Sequence, residues 1–113
     1  MINSLTINAL AQLTIDEQTT ISANQVFNAG TITIVETTGH LLRINAPFHN
    51  DGTVNFGSEA ALILYEEGTH TGSFSGRQLS FYRAGTGNQN QFLPSSSISV
   101  NALSVGDNHT VTV

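Results

Sequence analysis

Two stretches of this chain say nearly the same thing. Phe27-Asn28-Ala29-Gly30-Thr31-Ile32-Thr33-Ile34 is followed by Phe48-His49-Asn50-Asp51-Gly52-Thr53-Val54-Asn55-Phe56. In each, Asn stands two residues before Gly-Thr, and a strict alternation of apolar and small polar residues follows. Asn28 and Asn50 are 22 positions apart, and Thr71-Gly72-Ser73-Phe74 gives a looser third pass. A repeat of about 20 residues that begins at a tight corner and continues with period 2 predicts one coil of a solenoid per copy. Period 2 is the spacing at which a strand sends alternate side chains to opposite faces.

The same alternation runs through the rest of the 113 residues, in short units such as Leu13-Thr14-Ile15, Leu62-Ile63-Leu64, Leu79-Ser80-Phe81 and Val111-Thr112-Val113. Gly, Asn, Asp, Ser and Thr separate the units, as tight turns require. Only the first dozen residues dispute an all-strand reading, because Ile2, Leu5, Ala9 and Leu13 also fit a helical stripe. The other end of the chain argues for strands. Ser4-Leu5-Thr6-Ile7-Asn8-Ala9-Leu10 resembles Ser97-Ile98-Ser99-Val100-Asn101-Ala102-Leu103, 93 positions on. The segment from Leu13 to Ala23 likewise resembles that from Leu103 to Val113, where Gly106-Asp107-Asn108 writes a turn. The N-terminal copy therefore reads as strands, with a short helical cap as the alternative.

These observations predict a single all-β domain over 1–113, a parallel β-helix of about five coils, with a β-sandwich as the alternative fold. In a stacked coil the inward residues form columns. Ile32 lies under Val54 and Phe74, with Ile34 and Phe56 beside them. Leu42 or Ile44 lies under Leu62 or Leu64, then Leu79 and Phe81. Asn28 and Asn50 fall at matching corners and are read either as a hydrogen-bonded ladder or simply as turn residues.

Composition narrows function mainly by exclusion. Charged residues make up only 10% of the chain, and three arginines against eight acids leave a net charge of −5. Phosphate backbones and anionic membranes would be repelled, so neither nucleic-acid binding nor membrane insertion is expected. Without cysteine there are no disulfides or thiolate metal sites. No signal peptide is visible after Met1, and no stretch approaches a membrane span.

The order Asn-x-Gly-Thr-[Ile/Val]-x-[Ile/Phe], then Gly68-Thr69-His70-Thr71-Gly72-Ser73-Phe74-Ser75 and Ser97-Ile98-Ser99-Val100-Asn101-Ala102-Leu103-Ser104-Val105, resembles bacterial surface β-solenoids. The repeats meant are those of filamentous-haemagglutinin-like adhesins and autotransporter passengers. The resemblance spans about Gln25 to Val113. It implies a right-handed coil and an extracellular, cell-surface, non-enzymatic role in adhesion or filaments.

Chemistry-bearing residues are few. His40, His49, His70 and His109 neighbour turn residues and read as exposed loop histidines rather than metal ligands, although a 21-residue coil would stack His49 on His70. Asp16-Glu17 and Glu66-Glu67 read as solvated corners. Glu59, Glu66 and Glu67 are candidates for glycan cleavage by residue type alone, and Ser95 to Ser97 lack a nucleophile motif. Threonine faces like those of ice-binding solenoids are interrupted at Asn55 and Ser80. Asn108-His109-Thr110 is formally a glycosylation acceptor. Arg77, Tyr82 and Arg83 flank the polar stretch Ala84 to Ser97, which reads as a projecting loop and is the candidate ligand or contact surface.

The expectation is a structural module, with no cofactor, metal or catalytic residue, that stacks head to tail on copies of itself or on adjacent repeats. The alternative is a carbohydrate- or host-receptor-binding segment of an adhesin or phage tail fibre.

Overall fold

The computed structural model describes residues 2–35, 40–82, 87–93 and 97–113. Among them twelve β-strands and no helix are found: β1 (Ile2–Ile7), β2 (Gln12–Ile15), β3 (Thr19–Asn28), β4 (Thr31–Ile34), β5 (Leu41–Asn45), β6 (Phe48–Asn50), β7 (Thr53–Leu64), β8 (Gly68–Thr69), β9 (Ser73–Phe81), β10 (Gln89–Phe92), β11 (Ile98–Val105) and β12 (His109–Thr112). Every pairing among them is parallel. The chain winds as a β-solenoid of about five turns, each pairing with its neighbouring turns along the axis.

The winding has three faces. On the first lie β1, the second half of β3, and β6, followed by β8, β10 and β12. The second stacks β2, β4 and the first halves of β7, β9 and β11. The third stacks the first half of β3, then β5, then the second halves of β7, β9 and β11. Strands β3, β7, β9 and β11 thus bend around a corner and serve two faces each. In β7 the bend is a bulge between Asn55 and Ala61, with Gly57 at φ 67°.

Alternation decides what points inward. Leu13, Ile32, Val54, Phe74 and Ile98 occupy one register column of the second face. Leu42, Leu62, Leu79 and Leu103 form one column of the third face, and Ile44, Leu64, Phe81 and Val105 the other. Ile34 and Phe56 are buried beside them. Phe48, Phe56, Phe74 and Phe81 are fully enclosed, each contributing about 2 to 3 kcal/mol by leaving water. Since one turn alone leaves this surface open, stability comes from the stacking itself.

The repeated Gly is a consequence of layer spacing. At Gly52 a methyl group would run into the Gly30 carbonyl oxygen, and at Gly72 it would run into that of Gly52. Successive turns pack backbone on backbone at this corner, where only a residue without Cβ fits.

The first dozen residues form β1 and β2 rather than a helical cap. Between them Leu10 adopts φ 69° and the Ala11 N–H donates to the Asn8 carbonyl at 2.9 Å, a turn that breaks any helical stripe. The stretch 84–97 does not behave as a projecting loop throughout. It contains β10, the first-face strand of the fifth turn, with Gln91 and Leu93 buried. Its polarity concealed this, because the glutamine that points inward finds a partner there.

Candidate functional site

Two features depart from a plain apolar solenoid, and each is traceable to particular residues. One is a polar column inside the first face. The Asn28 Nδ2 donates to Asn50 Oδ1 at 2.9 Å and to the Thr53 carbonyl at 3.2 Å. Its Oδ1 accepts the Gly30 N–H at 3.1 Å. One turn higher Asn50 repeats the pattern, accepting from the Gly52 N–H at 3.2 Å and donating to the Ser73 carbonyl at 3.1 Å. Both side chains are fully buried. Each corner therefore has its backbone groups satisfied by an asparagine from the strand preceding it, and the two asparagines satisfy one another.

In the fourth turn the column changes chemistry. His70 occupies the position above Asn50, whose backbone N–H donates to His70 Nδ1 at 3.2 Å. With Nδ1 accepting, the proton sits on Nε2, which donates to Gln91 Oε1 at 2.9 Å. Gln91 Nε2 in turn donates to the Glu66 carbonyl. Gly68 lies beside the ring, and a side chain there would collide with it. Phe48 and Phe74 pack around the imidazole at centroid distances of 5.6 and 5.1 Å. Burial lowers its pKa to about 4, overriding the Gln91 hydrogen bond, which favours the protonated form. A neutral, enclosed imidazole with both nitrogens engaged holds adjacent turns in register. It offers no reactive nitrogen to a substrate.

This arrangement overturns the reading of all four histidines as exposed loop residues. His70 and His109 are buried, and His49 points to the other side of its strand. His49 stacks on Phe27 at 5.3 Å and lies 3.0 Å from Asp51. A uniform 21-residue coil places His49 under His70, but the hydrogen bond to His70 comes from Asn50, 20 residues earlier. One residue of slip moves a side chain to the opposite face.

The other feature is the pair of strand edges at the two ends of the winding. Below, among the described residues, β1, β2 and the first half of β3 pair only with the turn above them. Ile2, Leu5, Leu13, Ile15, Thr19 and Ile21 surround a hollow of about 470 Å³ open to the outside. Above, among the described residues, β11 pairs only with β9, and β12 only with β10. Leu103, Val105 and Val113 are exposed by 46%, 49% and 69%, although their columns are buried one layer down. Apolar groups and unpaired backbone thus lie open together at both ends.

The candidate contact residues at 77–83 do not form one site. Arg77 sits at the corner where β9 enters the third face, its Nε donating to the Glu59 carbonyl at 3.1 Å. Tyr82 follows the end of β9 and packs edge-on against Tyr65 at 6.2 Å. A strand segment of roughly 16 Å separates them, and Arg83 lies outside the described residues. A shallow groove of about 310 Å³ is found elsewhere, on the outer side of the first face. Gln25, His49, Glu67, Thr69, Asn90 and the half-exposed ring of Phe92 line it. Sequence reasoning missed this groove because its residues come from four successive turns.

Among the described residues no three histidine, aspartate or glutamate side chains converge as a metal site would require. Nor is any helix long and apolar enough to cross a membrane. Compared with protein-family models, with curated proteins and with solved structures, the chain finds no match.

Proposed function

We propose that this chain is a structural, non-enzymatic module of an extracellular surface assembly, working by end-to-end stacking as a filament subunit or as a repeat of an adhesin. The observation that carries the reading is the state of the two ends. Parallel strand edges left unpaired beside open apolar columns template further pairing, and proteins that stay monomeric cover or charge them. Here the edge strands 2–7, 12–15, 19–22, 98–105 and 109–112 contain no Asp, Glu, Lys or Arg. The resemblance of the coil motif to bacterial surface solenoids supports the same reading and supplies its location.

Sedimentation and electron microscopy of the purified chain test it. Elongated particles that grow with concentration are the expected result. A 12.0 kDa monomer that persists at high concentration would reject it.

A second reading rests on the first-face groove. An exposed aromatic ring beside amide and carboxylate side chains suits a sugar, whose apolar ring face stacks while its hydroxyls hydrogen-bond. Glycan-array binding that is lost on Phe92→Ala is the result expected of a receptor-binding segment.

A further inference from the structure

The likeness between the ends of the sequence gains a geometric meaning once its residues are placed. Leu5 and Ile7 of the first face correspond to Ile98 and Val100 of the second. Leu13 and Ile15 of the second face correspond to Leu103 and Val105 of the third. Thr19 and Ile21 of the third face correspond to His109 and Val111 of the first. Each of these six inward positions of the lowest turn maps to an inward position of the uppermost turn, displaced by one face in the direction of winding. Apart from a corner three residues longer in the lowest turn, the uppermost turn repeats the lowest rotated by a third of a revolution.

The layering gives the same answer independently. Among the described residues twelve strands, four of them bent across two faces, make sixteen segments on three faces. The first face therefore carries one layer more than the others, because β12 rises above β10. The next open position on the winding path is above the first half of β11, on the second face. A copy seated without rotation would place its β1 on β12 and leave an empty layer on the other two faces.

We propose that this chain assembles as a screw, each copy seating its lowest turn on the uppermost turn of a second copy after rotating by one face. The inference rests on the stacking reading above and specifies its contacts. β1 pairs with residues 98–100, β2 with 102–105 and the first half of β3 with 109–112. Leu5 then covers Ile98, Leu13 covers Leu103 and Ile21 covers Val111, while Asn8 meets Asn101 at the corner. Five and a third layers correspond to a rise of about 26 Å per copy, and the shortest extent of the molecule is 26 Å.

A cross-section bounded by 32 × 31 Å offers on the order of 500 Å² per copy. A seated pair thus buries about 1,000 Å², the threshold for a biological interface, in addition to its strand pairing. The seating brings Glu17 over Asp107, both exposed, so added salt strengthens assembly.

Engineered cysteines test the seating, since the chain has none of its own. Stacked parallel neighbours about 4.8 Å apart are within disulfide reach. Three double variants put the same Thr6→Cys opposite each face of the upper edge: Ser99→Cys on the second, Ser104→Cys on the third and Thr112→Cys on the first. The expected result is a ladder of covalent oligomers from Thr6→Cys/Ser99→Cys under oxidation, with monomer from the other two. A ladder from either other pair instead, or filaments of the unsubstituted chain whose helical symmetry lacks the one-face rotation, would overturn the screw and leave end-to-end stacking standing. Absence of any assembly of the unsubstituted chain would overturn both. Microscopy of each variant under reducing conditions shows whether the cysteines themselves disturb stacking. If they do, the helical rotation and rise of the unsubstituted filament decide the matter.

Discussion

Acid should unlock the interior of this solenoid through one residue. His70 is held neutral in the fold with a pKa of about 4, while in the unfolded chain it titrates near its ordinary 6.5. Below pH 6.5 the unfolded state therefore binds a proton that the folded state refuses, so stability falls as pH falls. Above 6.5 the full contribution is present, and below about 4 both states are protonated and the loss is complete. The total comes to about 3 kcal/mol at 1.36 kcal/mol per unit, of which about 2.5 kcal/mol is spent by pH 4.5.

The chain also carries eight carboxylates and three other histidines, so the informative quantity is a difference. His70→Asn keeps an acceptor near the Asn50 N–H and removes the ionisable group. Its stability at pH 7.5 drops, because Gln91 loses its partner. Its further loss between pH 7.5 and 4.5 should be smaller than that of the unsubstituted chain by about 2 to 3 kcal/mol. Urea unfolding at both pH values measures this, at protein concentrations where sedimentation shows monomer. Equal losses for the two proteins would refute the claim that the imidazole is buried and neutral.

Three other outcomes follow from the packing. Asn50→Ala removes the acceptor of the Gly52 N–H and of Asn28 Nδ2 together with the donor to Ser73; urea midpoints should report a cost of about 2 to 4 kcal/mol, more than any single hydrogen bond is worth. Phe74→Ala removes a fully buried ring stacked between Val54 and Ile98 and should cost about 3 to 5 kcal/mol, read by the same assay. Leu103→Lys puts a charge on a half-exposed position of the upper edge; it should abolish sedimenting assemblies while shifting the thermal midpoint of the monomer by only a few degrees.

The legible part of the fold was the part enforced by identical contacts in every turn. The corner Gly recurs because the backbone of one layer touches that of the next, and Asn28 and Asn50 stand two residues before it because their amides reach the corner N–H. Ile32, Val54 and Phe74 were readable as a column for the same reason. What the sequence concealed lies where turn length varies. Partners are 17 residues apart between Leu62 and Leu79 and 24 apart between Phe74 and Ile98. Such changes are absorbed at corners without moving the layers, so no single period predicts them. His70 reads as an exposed loop histidine because turn residues flank it, and Gln91 in β10 looks like surface until His70 is seen facing it. Nor could the rotation between the end turns be read before the strands were assigned to faces; the likeness was visible, its direction around the axis was not.

The orientation of the ladder bonds has a mechanical consequence. Hydrogen bonds between parallel layers point along the winding axis, so a force pulling the termini apart lengthwise meets them head-on and one layer at a time. The end layer peels first, and each layer released turns about 4.8 Å of stacked height into roughly 66 Å of extended chain. Under axial tension the molecule is therefore a shock absorber that pays out slack in steps. Loads applied sideways are instead shared by many layers in shear, and the rod resists them.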